Sequence, residues 1–328
     1  MTSGVDGADG ADVPAPDDPA TLRTDVELPG VPGLGGLYAR GVAASARLAA
    51  LSRLGRASDR LPGVAYVVRG VRADPDRLTA YQHLLGEPAS DALPAGYVHV
   101  LAFPVATALM VRDDFPLPLA GMVHLANRVQ QHRAPVLGEP LDVRAHAQDL
   151  RRHRSGAQVD LVTEVRSGGD VVWRGVSTYL AKGVRLPAGR SGAETPDAGS
   201  GGGRRGGRPE FVPPVPTGQW SLGADAGRRY AAVSGDRNPI HLSRVTARAM
   251  GFPRAIAHGM LTASRALADV GRARGDAFAW TVEFAKPVLL PARVTVRVAP
   301  DLAGGGYAYT GWDGRCGALH LHGTVVPR

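Results

Sequence analysis

The same order of features occurs twice along this chain, once on each side of a glycine-rich stretch, and that internal repeat limits the fold more than any other property of the sequence. The second half reads Tyr230-Ala-Ala-Val-Ser-Gly-Asp-Arg-Asn-Pro-Ile-His241, then Gly251-Phe-Pro-Arg-Ala-Ile-Ala-His-Gly-Met-Leu261, then a β-rich run from Glu283, then a last strand around His322. The first half reads Tyr81-Gln-His-Leu-Leu-Gly-Glu-Pro-Ala-Ser90, then an apolar run from Gly96, then a β-rich run from Arg133, then a strand around Arg174. A length of 328 residues suits two units of about 150 residues each. The boundaries follow composition: an acidic, Pro/Gly-rich tail at 1–29 expected to lack structure, a helical segment at 30–59, a first copy at 60–185, a Gly/Pro/Arg-rich linker at 186–216 and a second copy at 217–328.

Periodicity gives the architecture of one copy. Phe278 to Val288, Ala292 to Ala299, Gly306 to Trp312 and Ala318 to Val326 are short β-rich runs, and Val294, Val296 and Val298 alternate with Thr295 and Arg297 as in a half-buried strand. Ahead of them, Gly259 to about Arg272 has helical spacing and is apolar around much of its circumference, so it should lie buried against the sheet. Gly36 to Leu54 predicts an additional helix near the N-terminus. One helix wrapped by an antiparallel sheet, twice in one chain, is an α+β architecture consistent with a tandem hot-dog arrangement.

Charge is a poor guide here. The formal net charge of +8 would prompt a search for nucleic acid, but only Lys182 and Lys286 among the 38 basic residues are lysines, and the Ala, Gly, Pro and Arg content matches GC-rich codon usage. No basic helix interleaved with aromatics and no zinc-finger spacing occurs, so a nucleic-acid partner is not expected. Cys316 is the single cysteine, which excludes an intrachain disulfide and fits a reducing cytoplasm. The most apolar stretch, Gly96 to Val111, is too short and too interrupted for a membrane span, and the first twenty residues lack the pattern of a signal peptide.

The chemistry concentrates in one string. Asn238 followed by Pro239 is a helix start with a capping amide and a proline where its missing N–H costs nothing, predicting a short helix to about Met250 closed by Gly251. His241 then falls in the first helical turn, with Asp236 just ahead of it in the Ser234-Gly-Asp turn. A carboxylate and an imidazole aimed at one water can add water across an activated double bond, or remove it. The negative charge that develops on the carbonyl oxygen activating such a double bond needs fixed donors. His258-Gly259-Met260 offers them, because the first N–H groups of a helix have no intrahelical acceptor and face the positive end of its dipole.

The same string is also ordinary turn and cap chemistry. The repeat separates the two readings. Were these residues only caps, the first copy should keep equivalents, yet it has Glu87 opposite Asp236, no histidine in the matching stretch, and Pro104 falling opposite Gly259 with a gap six residues shorter. One copy holds a site and the other has lost it.

Gly-Asp-Arg-Asn-Pro-Ile-His ending at His241, with Ala-His-Gly-Met ending at Met260, closely resembles the signature of MaoC-like dehydratases and R-specific enoyl-CoA hydratases, over about Gly218 to Val326. The first half resembles the degenerate repeat of two-hot-dog members. The resemblance implies Asp236 and His241 as the catalytic pair, Gly259 as oxyanion-hole amide, and Asn238, Ser234 and His258 as supporting residues. His241 would take the proton from water while Asp236 orients it and handles the C2 proton, with the order of these two roles left open. It further implies (R)-specific hydration of trans-2-enoyl thioesters of CoA or acyl carrier protein, or the reverse dehydration, in fatty acid metabolism, with neither metal nor cofactor. A first copy without the overhanging helix would leave room for longer acyl chains. A non-catalytic acyl-thioester-binding protein and a hot-dog thioesterase stay as alternatives, and a homodimer stays open. Elsewhere, His320 and His322 share a strand face without a metal-ligand set nearby, the linker residues Arg204, Arg205 and Arg208 read as solvated charge, and His99, His124 and His132 read as packing residues of the copy without the motif.

Overall fold

The computed structural model describes residues 23–53, 60–119, 121–186 and 211–328. Most of the expected tail and linker, including Arg204, Arg205 and Arg208, lies outside the described residues. The end of the tail stretch does not lack structure: Thr24–Glu27 forms strand β1, and helix α1 follows at Leu34–Arg53. Strand β1 runs parallel to the first strand of the first copy, pairing Thr24 with Val64.

The first copy runs through β2 (Val64–Val71), α2 (Pro75–Leu85), α3 (Ala95–Met110), β3 (Met122–Gln131), β4 (Leu141–His153), β5 (Gly156–Ser167) and β6 (Asp170–Lys182). The second repeats the order with β7 (Gly218–Leu222), α4 (Ala226–Ser234), two short helices α5 (Pro239–Leu242) and α6 (Arg244–Ala249), α7 (Gly259–Val270), β8 (Phe278–Phe284), β9 (Ala292–Asp301), β10 (Gly306–Trp312) and β11 (Leu319–Pro327). The strands form one sheet ordered β1-β2-β4-β5-β6-β3-β8-β11-β10-β9-β7. Past β1, the order of the second copy mirrors that of the first about the antiparallel β3–β8 pair. The architecture is therefore a double hot-dog, α+β, with an apolar helix against each half of the sheet.

Both central helices are buried because their sequences are apolar around most of their circumference, α7 keeping only a narrow polar stripe at Arg265 and Asp269. Every residue of α3 except Phe103 is buried, and α7 buries nine of its twelve. The two pass close enough that a Cβ added at Gly96 on α3 would stand 2.3 Å from the Ser264 hydroxyl on α7, so only glycine fits there. Val294 and Val296 of β9 face inward as their alternation predicts.

The backbone aligns the copies better than the sequence does. Leu93 N–H donates to Pro135 and Leu137 N–H to Asp91 in the first copy; Ala257 N–H donates to Val288 and Leu290 N–H to Ala255 in the second. These matching pairs set Pro94 against His258, each the N-cap of its central helix, and Ala95 against Gly259. The expectation that Pro104 falls opposite Gly259 is therefore wrong: Pro104 lies inside α3. Eight residues separate Glu87 from Ala95 while 23 separate Asp236 from Gly259, so the segment missing from the first copy is larger than six residues and corresponds to α5 and α6. Apolar runs without turn signals invite this slip of register, since several alignments preserve their hydrophobicity.

Candidate active site

Helix α4 ends at Gly235, whose φ of +75° turns the chain sharply and delivers Asp236 to the centre of the molecule. The turn is held locally. Asp236 N–H donates to the Ser234 hydroxyl at 3.1 Å, Asn238 N–H donates to Asp236 Oδ1 at 3.1 Å, and the Asn238 amide oxygen caps α5 by accepting from Ile240 N–H. The predicted single helix to Met250 is instead two. Ser243 between them is extended and its hydroxyl accepts from Thr246 N–H, giving α6 its own cap. Ser243 and its spacing to Thr246 were the available sequence signal for that break.

In the first turn of α5, His241 is buried and its Nδ1 lies 2.8 Å from the Ile256 carbonyl. A carbonyl accepts only, so Nδ1 carries the proton and Nε2 keeps its lone pair. The His258 ring stacks on His241 with centroids 3.7 Å apart, and its Nε2 donates to the Asp236 backbone carbonyl at 3.0 Å. That nitrogen is also 3.8 Å from Asp236 Oδ2. The Tyr230 ring packs against His258 with centroids 4.9 Å apart.

Burial drives the ionisation states. It pushes His241 down to about 3, helped by the neighbouring His258 and opposed by Asp236 and the Ile256 carbonyl. His258 is lowered for the same first reason. Burial works to raise Asp236, yet His258, His241, the Tyr38 hydroxyl and the Asn238 amide outweigh it and hold the carboxyl below its ordinary value. At neutral pH the site therefore holds one carboxylate and two neutral imidazoles.

Gly259 opens α7, where the first N–H groups have no intrahelical acceptor. Its lack of a side chain has a more specific cause than the sequence indicated: an added Cβ would lie 2.9 Å from the Phe284 ring. The ligand atoms of Asp236, His241 and His258 lie within 4.8 Å of one another, a spacing a metal ion could bridge. The donor set argues otherwise, because the His258 nitrogen beside the Asp236 carboxylate, Nε2, commits its proton to the Asp236 backbone carbonyl.

All six sequence-predicted residues, Ser234, Asp236, Asn238, His241, His258 and Gly259, line one cavity of about 270 Å³. Its other wall comes from the first copy. His99 and Phe103 of α3, His124 and Leu125 of β3, and Tyr179 and Lys182 of β6 all line it. Reading His99 and His124 as mere packing residues therefore misplaces them, whereas His132 lies away from the cavity. The signal is a bulge: the β3–β6 register breaks between His124 and Ala126, which turns consecutive residues toward the cavity. Burial lowers His99 to about 4 and His124 to about 3, and His124 stacks on Tyr179 at 4.6 Å. Both lysines of the chain, Lys182 and Lys286, line the same cavity. Sequence reasoning also missed Tyr38 of α1, whose hydroxyl donates to Asp236 Oδ1 from 198 residues away. Of the two strand histidines, His320 borders the cavity and bonds the Lys286 carbonyl, while His322 faces Glu283.

Residues 203–301 match the family model described as a MaoC like domain. Over 268 residues the chain is 36% identical to 3-hydroxyacyl-thioester dehydratase X of Mycobacterium tuberculosis, covering 82% of this chain and 91% of that protein. Among solved structures it resembles the crystal structure of HtdX from Mycobacterium tuberculosis, with a TM-score of 0.68 and 34% identity over 80% of this chain and 100% of that one. A MaoC-like dehydratase from Phytophthora capsici shares the fold, with a TM-score of 0.60 and 19% identity over 81% of this chain and 95% of that one.

Proposed function

Since this chain belongs to the MaoC-like dehydratase family, we propose that it is a hydro-lyase that interconverts trans-2-enoyl and (R)-3-hydroxyacyl thioesters in fatty acid metabolism, at the single site that joins Asp236, His241 and Gly259. The observation that carries this is the convergence of Asp236 and His241 on one cavity at the start of a buried helix.

In hydration, one water sits between Asp236 and His241. His241 Nε2 takes a proton from it as the oxygen bonds to C3, and charge moves to the thioester oxygen, where the Gly259 N–H receives it. Asp236 is held ionised, so it has no proton to give. The proton delivered to C2 is thus the one His241 accepted, and the carboxylate orients the water and steadies the transient imidazolium. The sequence reading left the order of these two roles open; here the C2 proton belongs to His241. The O–H bond of water breaks, C3–O and C2–H form, and no other reactant is consumed; dehydration is the reverse.

Phe103, Met122 and Leu125, which line the cavity from the first copy, are the apolar surface that would take the acyl chain. A cytoplasmic setting fits the lone, exposed Cys316. Among the described residues no helix is long and apolar enough to cross a membrane. The test is hydration of enoyl-CoA substrates of increasing length, followed by loss of the conjugated-thioester absorbance with chiral analysis of product. The (R)-3-hydroxyacyl product is expected. An (S) product, no turnover, or release of free thiol in place of hydration would overturn the reading.

A further inference from the structure

Asp236 has a ligand that belongs to neither copy. Tyr38 lies on α1, far outside residues 203–301 that match the family model, and α1 is anchored so that its side chain cannot easily withdraw: Leu37 is fully buried, and Leu34 packs beside Gly235. The Tyr38 hydroxyl donates to Oδ1 of Asp236, the same oxygen that accepts from Asn238 N–H. Both donors converge on one oxygen. Oδ2, which accepts no hydrogen bond among the described residues and lies 3.8 Å from His258 Nε2, is the oxygen left for a reacting water.

We propose that Tyr38 is a positioning residue of the active site: its hydroxyl occupies Oδ1, fixes the rotation of the Asp236 carboxylate, and so presents Oδ2 to the water. A carboxylate free to rotate would share both oxygens between the Asn238 amide and the water, and the near-attack geometry would be populated only part of the time. The same bond favours the charged carboxylate, which keeps Asp236 from competing for the proton that His241 must carry.

Other groups act on Asp236 as well. His241 faces it from α5, His258 from the start of α7 and Tyr230 from α4. From the first copy His99, His124 and Tyr179 lie within its field, and Arg77 of α2 reaches the adjacent Gly235. None of these is altered by replacing the Tyr38 hydroxyl alone, so the substitution Tyr38→Phe isolates one donor while keeping the ring.

Two readouts are needed. The kinetic one rests on the hydratase reading: Tyr38→Phe is expected to lower kcat for crotonyl-CoA hydration by about ten- to a hundredfold, the usual effect of one hydrogen bond to a charged group, with KM within about twofold. The acid limb of kcat/KM should move up in pH, since losing a donor to the carboxylate raises its pKa. The second readout is a ¹³C titration of the Asp236 carboxyl, which needs no turnover; Tyr38→Phe should shift it upward by about one pH unit. A 3-fluorotyrosine at position 38, with a more acidic hydroxyl in the same shape, should move the titration the other way. Failure of the wild-type enzyme to hydrate enoyl-CoA strikes the functional reading alone. An unmoved Asp236 titration in Tyr38→Phe, or an unmoved acid limb with wild-type kcat, overturns the role given to Tyr38.

Discussion

Asp236 and Glu87 occupy the same place in the two copies, each just after a left-handed glycine that ends a helix, and they live under opposite conditions. Glu87 is 3% exposed and bound at 2.8 Å by Arg274, which follows α7 of the other copy. Its charge is cancelled through Oε2. Among the described residues no lysine or arginine forms an ion pair with Asp236; it is held by the Tyr38 phenol and the Asn238 backbone amide, with His258 and His241 beside it. At His258 the first copy has Pro94, and where α5 brings in His241 it has no segment at all. The cavity beside Glu87 still exists, lined by Ala95, Gln131 and Arg274. A pocket and a carboxylate are thus common to both copies: what differs is that an arginine pairs with Glu87, while imidazoles stand beside Asp236.

That contrast can be broken most forcefully by substitution of the base. His241→Ala should lower kcat by about 10³-fold, within the range for a lost general base, and Asp236→Asn by a similar factor. Glu87→Gln should leave kcat near wild type in the same hydration assay. Its effect belongs to stability instead, because it strands the mostly buried Arg274, and urea unfolding should show a loss of about 3 kcal/mol. A catalytic defect in Glu87→Gln as large as that of Asp236→Asn would erase the distinction between the copies.

A smaller effect is expected at the helix starts. Gly259→Ala drives a methyl into Phe284 and should cost about 1–3 kcal/mol of stability together with a fall in kcat, read by melting and turnover on the same sample. Its counterpart Ala95 already carries that methyl. The gentlest probe is pH. His241 has a folded-state value of about 3 against 6.5 in the unfolded chain, so between those values the unfolded state binds the extra proton. Stability should therefore be full above pH 6.5 and decline on acidification toward pH 3, by up to about 1.4 kcal/mol per unit for each such imidazole. Urea midpoints measured from pH 7 to 4 test this, and a flat profile would mean that the site histidines are hydrated and protonate freely.

Much of this was written locally. The Asn-Pro cap, the glycine at 235, the alternating valines of β9 and the apolar spacing of α7 act over a few residues, so their consequences are visible before folding. The repeat also announced that one copy had lost its motif. Where the reading failed, it failed for want of tertiary information: Pro104 was matched to Gly259 because apolar segments slide against one another without penalty until backbone bonds fix their register.

The sequence by itself determined that this chain holds two hot-dog units and that only the second keeps an Asp–His string ahead of a helix start. The tertiary structure alone decided what surrounds that string: Tyr38 on Asp236, the histidines of the first copy across the cavity, and Arg274 silencing Glu87. The reason is distance along the chain. Hydrogen-bonded caps and periodic faces are properties of neighbours, whereas the ionisation of a buried group is set by whatever the fold brings against it, and those partners leave no mark on one another in sequence.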